Sequence, residues 1–315
     1  MTTLTTPLDR QQSTAEALMH KSRLRDASGI VLQMLLLFAL LFSVLVLIVL
    51  IADILVGGLG VLIDRPVDFL TLGNSATASK AGVWQAIVGS LWLTLIVAVV
   101  AFPLGIGAAI YLEEYARDNA FTRFVIVNVR NLAGVPSVVY GLLGLAIFVE
   151  ALRGFSGGRS LIAAGFTLAI LVLPIVVIVT SEALRAVPIA LREGGFGIGA
   201  TRWEVTRRLV LPQAAPMILT GAVLSISRAI GETAPLILVG AITSFFATQA
   251  SSIGDVMQGK FTALPVIIFG WARQPGDEFR ALTAAAIIVL LVVLLTVNAL
   301  AIFVRNRYDK RRHEL

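Results

Sequence analysis

Residues 193–235 read EGGFGIGATRWEVTRRLVLPQAAPMILTGAVLSISRAIGETAP and join a polar, glycine-rich, basic stretch directly to an apolar one. The apolar half predicts a helix that enters a bilayer, and Arg228 and Glu232 lie in it four residues apart, a spacing that places both on one helical face. Gly221 and Ser225 continue that face, so we expect a polar stripe. A charge near the centre of a membrane helix costs roughly 2.5–3.5 kcal/mol on insertion scales, so such residues usually face a partner, a cavity or a pathway.

The composition indicates a polytopic membrane protein. Of 315 residues, 57% are hydrophobic and 14% are charged, and the mean hydropathy is +0.91. The net charge of +6 is scattered between apolar runs, so membrane topology explains it better than nucleic-acid binding. The chain has no cysteine, and His20 and His313 lie in polar end segments. This excludes disulfides, cysteine-based sites and histidine-centred catalytic or metal sites.

The apolar runs predict an all-α protein with six transmembrane helices, each long enough to cross a hydrocarbon core. The predicted spans are residues 30–56, 84–112, 130–149, 160–180, 213–241 and 281–304. Residues 57–83 are interpreted as a loop between the first two spans. A further apolar segment, residues 261–272, is too short to cross, and we expect it to be an interfacial or re-entrant element.

The organisation that follows has four parts. Residues 1–29 are interpreted as a mostly disordered tail, and residues 30–56 as an accessory first helix. A transmembrane domain covers residues 84–304 and contains a long polar loop at residues 181–212, and residues 305–315 form a basic tail. Most lysines and arginines lie in the two tails, in that loop and in the connection after the second span. This bias predicts that the loop and both termini are cytoplasmic.

Three groups of residues resemble a known family. Glu193-Gly-Gly, Gly199 and Leu211-Pro212 are similar to the "EAA" loop of ABC-transporter permease subunits. The segments SRAIGETAPL (227–236) and NLAGVPSVVYGLLG (131–144) resemble the phosphate-specific branch of that family, and within it the PstA type. The resemblance covers residues 84–304. It implies the type I (MetI-like) importer permease fold, in the bacterial inner membrane.

The resemblance also implies partners. A working importer would combine this chain with a second homologous permease of PstC type, a PstB-type ATPase homodimer and an external phosphate-binding protein of PstS type. This chain would be no enzyme and bind no cofactor, because ATP and magnesium would belong to the ATPase. The long loop would form a short helix pair that docks into the ATPase; an ordinary amphipathic connector is the alternative. The residues assigned to coupling are Glu193, Gly199, Arg207, Arg208, Leu211 and Pro212.

The polar residues of the fifth span predict a phosphate pathway, because a guanidinium offers a planar fork of donors that matches a phosphate oxyanion. Glu232 would hold Arg228 when substrate is absent, and Gly231 and Pro235 are expected to interrupt the helix. The residues assigned to the pathway are Arg228, Glu232, Ser225, Ser227 and Ser137. A structural ion pair that holds two helices together is the alternative for the charged pair, and a plain helix start is the alternative for Ser137.

Two motifs imitate nucleotide sites. Residues 254–260, GDVMQGK, nearly spell a phosphate-binding loop, but Phe261 stands where Ser or Thr would bind magnesium. Residues 195–200, GFGIGA, do not follow a buried strand. We therefore expect no ATPase activity in this chain. The open alternatives are a permease for another oxyanion or phosphonate, and an ion-coupled carrier with Glu232 as its proton site. A membrane enzyme has little support, since the chain shows no nucleophile constellation.

Overall fold

The structure is a computed structural model that describes residues 7–242 and 253–313. The described residues are helical with connecting turns and contain no strand, so the all-α prediction is confirmed. The helices are α1 (Pro7–Asp64), α2 (Pro66–Thr71), α3 (Trp84–Ile110), α4 (Ala120–Ala133), α5 (Ser137–Gly144), α6 (Arg153–Ser156), α7 (Leu161–Arg185), α8 (Ile189–Gly197), α9 (Arg202–Val205), α10 (Leu211–Gly231), α11 (Ala234–Val239), α12 (Ile253–Gln258), α13 (Leu264–Ala272) and α14 (Asp277–His313).

Three helical stretches correct the sequence interpretation. The N-terminal segment predicted to be mostly disordered is helical from Pro7. Residues 57–83, interpreted as a loop, contain the end of α1 and all of α2, and α14 continues through the basic tail to His313. Extending an existing helix adds one hydrogen bond per residue without a new nucleation cost. The stable apolar helices can therefore propagate into polar flanks that would not be helical alone.

The first apolar helix stands apart in its composition. Its side chains from Ile30 to Leu50 are all exposed and nearly all apolar. Residues 29–64 are long enough and apolar enough to cross a membrane. A helix that is apolar all round suits a lipid environment.

The bundle from residue 57 onward is organised around α7, which packs along α3 and α10 and also contacts α4, α5 and α11. Glycines lie at its tightest contacts. A Cβ on Gly165 of α7 would lie 2.6 Å from Cγ2 of Ile96, and one on Gly105 of α3 would lie 2.7 Å from Cγ1 of Val176. Membrane helices pack closely where small residues let their backbones approach.

The predicted third span, residues 130–149, is bent near its start. Helix α4 ends at Ala133, Gly134 and Pro136 form a turn, and the helical stretch from Ser137 to Ala151 leaves at 103° to α4. Proline lacks a backbone N–H and disfavours helical geometry in the residue before it, so an uninterrupted helix cannot pass this point. Within the described residues, five helices are long and apolar enough to cross a membrane, and there are six if the bent pair counts as one span.

The short apolar segment 261–272 lies inside the bundle. Helix α13 packs between α3 and α14, with Leu264, Ile267 and Trp271 buried. The Leu264 amide donates to Oγ of Ser90 (2.9 Å), and Nε1 of Trp271 donates to Oδ1 of Asn74 (3.0 Å). Most of this segment is therefore buried against neighbouring elements, although Phe269 is exposed. Neighbouring helices supply the hydrogen bonds that a short element cannot make internally.

Candidate functional site

A break in the fifth span forms the centre of the candidate site. Helix α10 ends at Gly231, Glu232 has an extended backbone conformation (ψ 125°), and α11 begins at Ala234 with Pro235 in its first turn. Pro235 has no N–H to give to the preceding turn, which stops α10 from continuing. The predicted interruption at Gly231 and Pro235 is confirmed.

Arg228 and Glu232 form a loose ion pair at this break. Nε of Arg228 lies 3.4 Å from Oε1 of Glu232, and their side chains are 44% and 18% exposed. Arg228 lies in the last turn of α10, and Glu232 is the C-cap residue of the same helix. The pair lies within one helix and its cap rather than between two helices. A structural role for the pair stays the alternative to a pathway role.

Helix α5, which follows the bend in the third span, packs directly against the break. A Cβ on Gly141 of α5 would lie 2.7 Å from Cα of Pro235. The Tyr140 hydroxyl donates to the Leu132 carbonyl oxygen (2.8 Å) and lies within electrostatic range of Arg228. The fold thus brings together residues 131–144 and 227–236, which are distant in sequence and carry the phosphate-branch resemblance.

The assigned serines occupy different environments. Ser225 is completely buried, and its hydroxyl has no hydrogen-bond partner among the described residues. It follows Gly221, whose Cβ would lie 2.1 Å from Cγ1 of Val179 on α7. Oγ of Ser227 lies 2.9 Å from the Val223 carbonyl oxygen and 2.9 Å from Oδ1 of Asn298 on α14.

The predicted polar stripe is therefore buried at Gly221, which lies against α7, and at Ser225, and it is open at Arg228. Ser227 connects α10 to α14, and Ser137 is half-buried at the start of α5. Arg228, Glu232 and Ser137 have side chains with some exposure near the break. The two serines of α10 face neighbouring helices, because helix packing and not spacing alone decides which part of a face is open.

The long polar loop contains the short helix α8 and the start of a long continuous helix, Arg202–Gly231, in which α9 runs on into α10. The predicted pair of short helices is therefore one short helix followed by the beginning of the fifth span. Helices α8 and α9 flank a turn at Gly199, whose φ of 83° lies in the left-handed region that favours glycine. Thr201 and Glu204 form a capping box that starts α9. Glu193, Arg207 and Arg208 are exposed, as a docking role requires.

Leu211 and Pro212 differ from the other residues assigned to coupling. They are half-buried at the start of α10, and Leu211 packs against the apolar cluster beneath the loop. Sequence reasoning missed that four large apolar side chains of the loop are exposed: Ile189 (69%), Phe196 (47%), Ile198 (86%) and Trp203 (54%). The detectable signal was the presence of large apolar residues inside an otherwise charged loop.

An ion pair that the sequence analysis did not predict fixes the loop to the bundle. Nη2 of Arg192 lies 2.8 Å from Oε1 of Glu114, and the two side chains are only 19% and 9% exposed. The same guanidinium donates to the carbonyl oxygens of Leu184 and Val187. Beside it, Arg185 pairs with Glu113 at 2.8 Å. Helix α8 is thereby tied to the ends of both α3 and α7.

The comparison with known families covers most of this architecture. The family of binding-protein-dependent transport system inner membrane components matches residues 101–313. The chain belongs to this family. The matched range contains the helix break, the bent third span and the whole polar loop, so the prediction of an ABC-transporter permease is confirmed.

Curated relatives extend the comparison. The phosphate transport system permease protein PstA 1 of Mycobacterium tuberculosis is 36% identical over 232 residues, which cover 73% of each chain. The probable ABC transporter permease protein YqgH of Bacillus subtilis is 37% identical over 173 residues. That match covers 53% of this chain and only 56% of YqgH, so the chain spans little more than half the length of that relative. The predicted resemblance to PstA-type permeases is confirmed.

A solved structure supports the fold. The crystal structure of a bacterial ABC transporter involved in the import of alginate matches with a TM-score of 0.50 at 17% identity, covering 71% of this chain and 78% of that one. This family member is thus a multi-pass inner-membrane protein with the fold of ABC importer permeases.

The mostly buried pair of Arg192 and Glu114 predicts a local stability effect. Replacing Arg192 with Met leaves a buried carboxylate without its cation, at a cost of about 3–5 kcal/mol. We expect backbone amides of α8 to exchange with solvent about 100-fold faster or more, measured by hydrogen exchange with mass spectrometry. Arg208→Met, at an exposed position, is the matched control and should leave exchange unchanged. Adding Glu114→Leu to Arg192→Met should restore much of the protection, and unaltered exchange in the single variant contradicts a structural role for the pair.

Proposed function

We propose that this chain is the permease subunit of an ATP-driven importer and forms half of the translocation pathway for inorganic phosphate. The half-exposed guanidinium of Arg228 at the break between α10 and α11 carries the proposal. A relative that is 36% identical over 73% of the chain is described as a phosphate transport permease. That relationship favours phosphate among the anions that an arginine can bind.

The chemistry of the pair suits a transient anion site. Guanidinium–phosphate hydrogen bonds are charge-assisted and directional, which gives both attraction and orientation. At 3.4 Å, Glu232 neutralises Arg228 without holding it tightly, so an arriving phosphate competes with the carboxylate. The repulsion between phosphate and Glu232 then disfavours trapping, and the anion can leave toward the other side.

The position of Arg228 explains why one chain supplies only half of the pathway. Its side chain lies at the surface of this subunit, where a second permease completes the enclosure. The proposed assembly contains a homologous PstC-type permease, a PstB-type ATPase homodimer and an external PstS-type phosphate-binding protein. The chain itself is not catalytic, and ATP and magnesium are used by the ATPase.

The helix pair α8–α9 is the proposed docking site for the ATPase. Phe196, Ile198 and Trp203 supply an exposed apolar surface, and Arg207 and Arg208 supply positive charge for an acidic groove. The ion pair of Arg192 and Glu114 transmits the movement of this surface. Because it ties α8 to the ends of α3 and α7, a push on the loop moves both spans together.

We place this loop and both termini in the cytoplasm, as the distribution of lysine and arginine favours. The opposite end, which includes residues 57–83 and 253–280, then receives the binding protein. Residues 243–252 of the same outer connection lie outside the described residues. This orientation puts the docking surface on the side where ATP is available.

Two alternatives predict different behaviour. A permease for another oxyanion or a phosphonate keeps the same assembly but takes up its own substrate. An ion-coupled carrier with Glu232 as its proton site continues to transport when ATP is depleted and the proton gradient remains. Uptake of phosphate, sulfate and phosphonate in cells lacking this chain, with and without ATP depletion, separates all three.

The sharpest prediction concerns the charged pair. The double replacement of Arg228 by Met and Glu232 by Leu should assemble normally, because removing both partners leaves no unpaired charge behind. Phosphate uptake per assembled complex should fall about 10- to 100-fold or more, because charge-assisted hydrogen bonds worth about 1.5–3 kcal/mol are lost. Arg228→Lys should also transport poorly, since an ammonium lacks the planar fork.

Assembly is measured by copurification of the ATPase. The control variant is Arg305→Met, which removes another arginine from the same helical bundle. Glu232→Gln should keep assembly and alter turnover. Near-normal phosphate uptake by the double variant means that the pair has only a structural role, and the pathway assignment is then withdrawn.

The coupling surface should be separable from the pathway. Gly199→Pro cannot adopt the positive φ of the turn, and Arg207→Glu with Arg208→Glu reverses the charge of the docking surface. Both variants should insert normally but lose ATPase copurification and phosphate uptake. Arg117→Glu with Arg123→Glu makes the same charge change outside the loop. This control should retain ATPase copurification and phosphate uptake. Normal uptake in the two loop variants excludes this docking site.

The absence of native cysteine allows a direct test of orientation. Cysteine at the exposed position Ala76 should react with an impermeant thiol reagent added to intact cells. Cysteine at Ala190, exposed on α8, should react only after the cells are permeabilised. Labelling of the Ala190 site in intact cells contradicts the proposed topology.

A further inference from the structure

A cleft lies beside the first turns of α3, at the end of the bundle opposite the polar loop. Its volume is about 740 Å³ including the open mouth. One face of α3 forms one wall, and the start of α7 and residues 256–262 form the others. The lining residues are Trp84, Gln85, Val88, Gly89, Trp92, Leu161, Val256, Lys260, Phe261 and Thr262.

The cleft combines a cation with apolar and aromatic side chains. Lys260 is exposed, and so is Trp84 in the first turn of α3. Trp92 lies eight residues further along the helix, about 12 Å deeper at 1.5 Å per residue. Around it the walls are formed by apolar side chains, among them Leu161 and Phe261. An exposed cation and an apolar wall in one cleft match an amphiphile with one negative charge.

The wall opposite α3 is held firmly. Gly89 has no side chain, and a Cβ there would lie 2.0 Å from the Thr262 carbonyl oxygen, so the backbone of that segment lies directly on α3. The Ile242 amide donates to the Phe261 carbonyl oxygen (2.9 Å). The Thr262 side chain is 2% exposed, and its hydroxyl has no partner among the described residues. The cleft is therefore preformed and has unused hydrogen-bonding capacity in its wall.

We propose that this cleft binds one anionic phospholipid, with the headgroup phosphate at Lys260 and an acyl chain along Trp92. Helix α3 is a membrane span, and a tryptophan at the first turn of such a helix marks the membrane–water interface. Lys260 lines the same cleft as this tryptophan, so we place the headgroup at Lys260 and the acyl chain along the apolar wall. A free phosphate ion would find one lysine and mostly apolar surface, which is poor compensation for its hydration. Lys260 is the last residue of segment 254–260, which nearly matches a phosphate-binding loop.

This site is independent of the proposed transport function, since it uses none of the residues around Arg228. Its effect is to anchor residues 256–262, which connect the break in the fifth span to the buried helix α13. The occupant is a membrane lipid, and the test separates it from free phosphate and from a partner subunit.

Photo-crosslinking of the full-length protein in its own membrane tests the proposal. Trp92→benzoylphenylalanine places a photoreactive ring of similar size in the cleft, and mass spectrometry identifies what it captures. We expect phospholipid adducts enriched in phosphatidylglycerol over zwitterionic lipid, relative to the bulk membrane. Adding Lys260→Gln should reduce that enrichment about five-fold, the effect expected for one basic residue at a membrane surface.

Matched variants define the outcomes. Arg273→Gln removes an exposed cation near the same end of the bundle but outside the cleft, and should leave the enrichment unchanged. Trp203→benzoylphenylalanine, in the polar loop, should capture no phospholipid. Capture of a protein chain at position 92, or no lipid adduct, overturns the proposal. The same is true if Lys260→Gln retains the full enrichment, or if millimolar inorganic phosphate abolishes the adduct.

Discussion

Close contact between α7 and its neighbours is the constraint on which the rest of the bundle depends. In a bilayer, helices gain little from burying apolar surface, so van der Waals packing must hold them together. Ile96 of α3 packs against Gly165, Val176 of α7 packs against Gly105, and Val179 of α7 packs against Gly221 of α10. A side chain at any of these glycines would overlap its neighbour, so α3, α7 and α10 form one unit with little freedom to separate.

This packing determines where the fifth span can be broken. Helix α10 is held against α7 at Gly221 and Ser225, but beyond that point α5 takes over and contacts Pro235 of α11. Between the two contacts the backbone leaves helical geometry at Glu232, and Arg228 is left with its guanidinium partly open. A break in a membrane helix requires other elements to surround the freed backbone, and α5 meets that requirement here.

The same three-helix unit receives the polar loop. Glu113 and Glu114 follow α3, while Arg185 ends α7 and Arg192 lies in α8, so two ion pairs join the loop to both spans. The Arg192 pair is mostly buried and is backed by two carbonyl oxygens. Rigid connection at this end and a broken helix deeper in the bundle are the two features that a loop-driven change of the proposed pathway needs.

The sequence by itself determined the helical class, the apolar segments and the break at Gly231 and Pro235. These depend on local properties: apolar length, the conformations open to glycine, and the missing N–H of proline. Tertiary structure alone decided the rest. Hydropathy depends on how many apolar residues a segment has and not on the direction of its helix axis. It therefore could not show the 103° turn before Ser137 or the burial of most of α13 within the protein. Helical spacing placed Ser225 and Arg228 on one face, but only the crossing of α7 decided that Ser225 is buried and Arg228 is open. Arg192 and Glu114 are 78 residues apart, and no local pattern in the chain pairs them, because their contact exists only once α3 and α7 have packed.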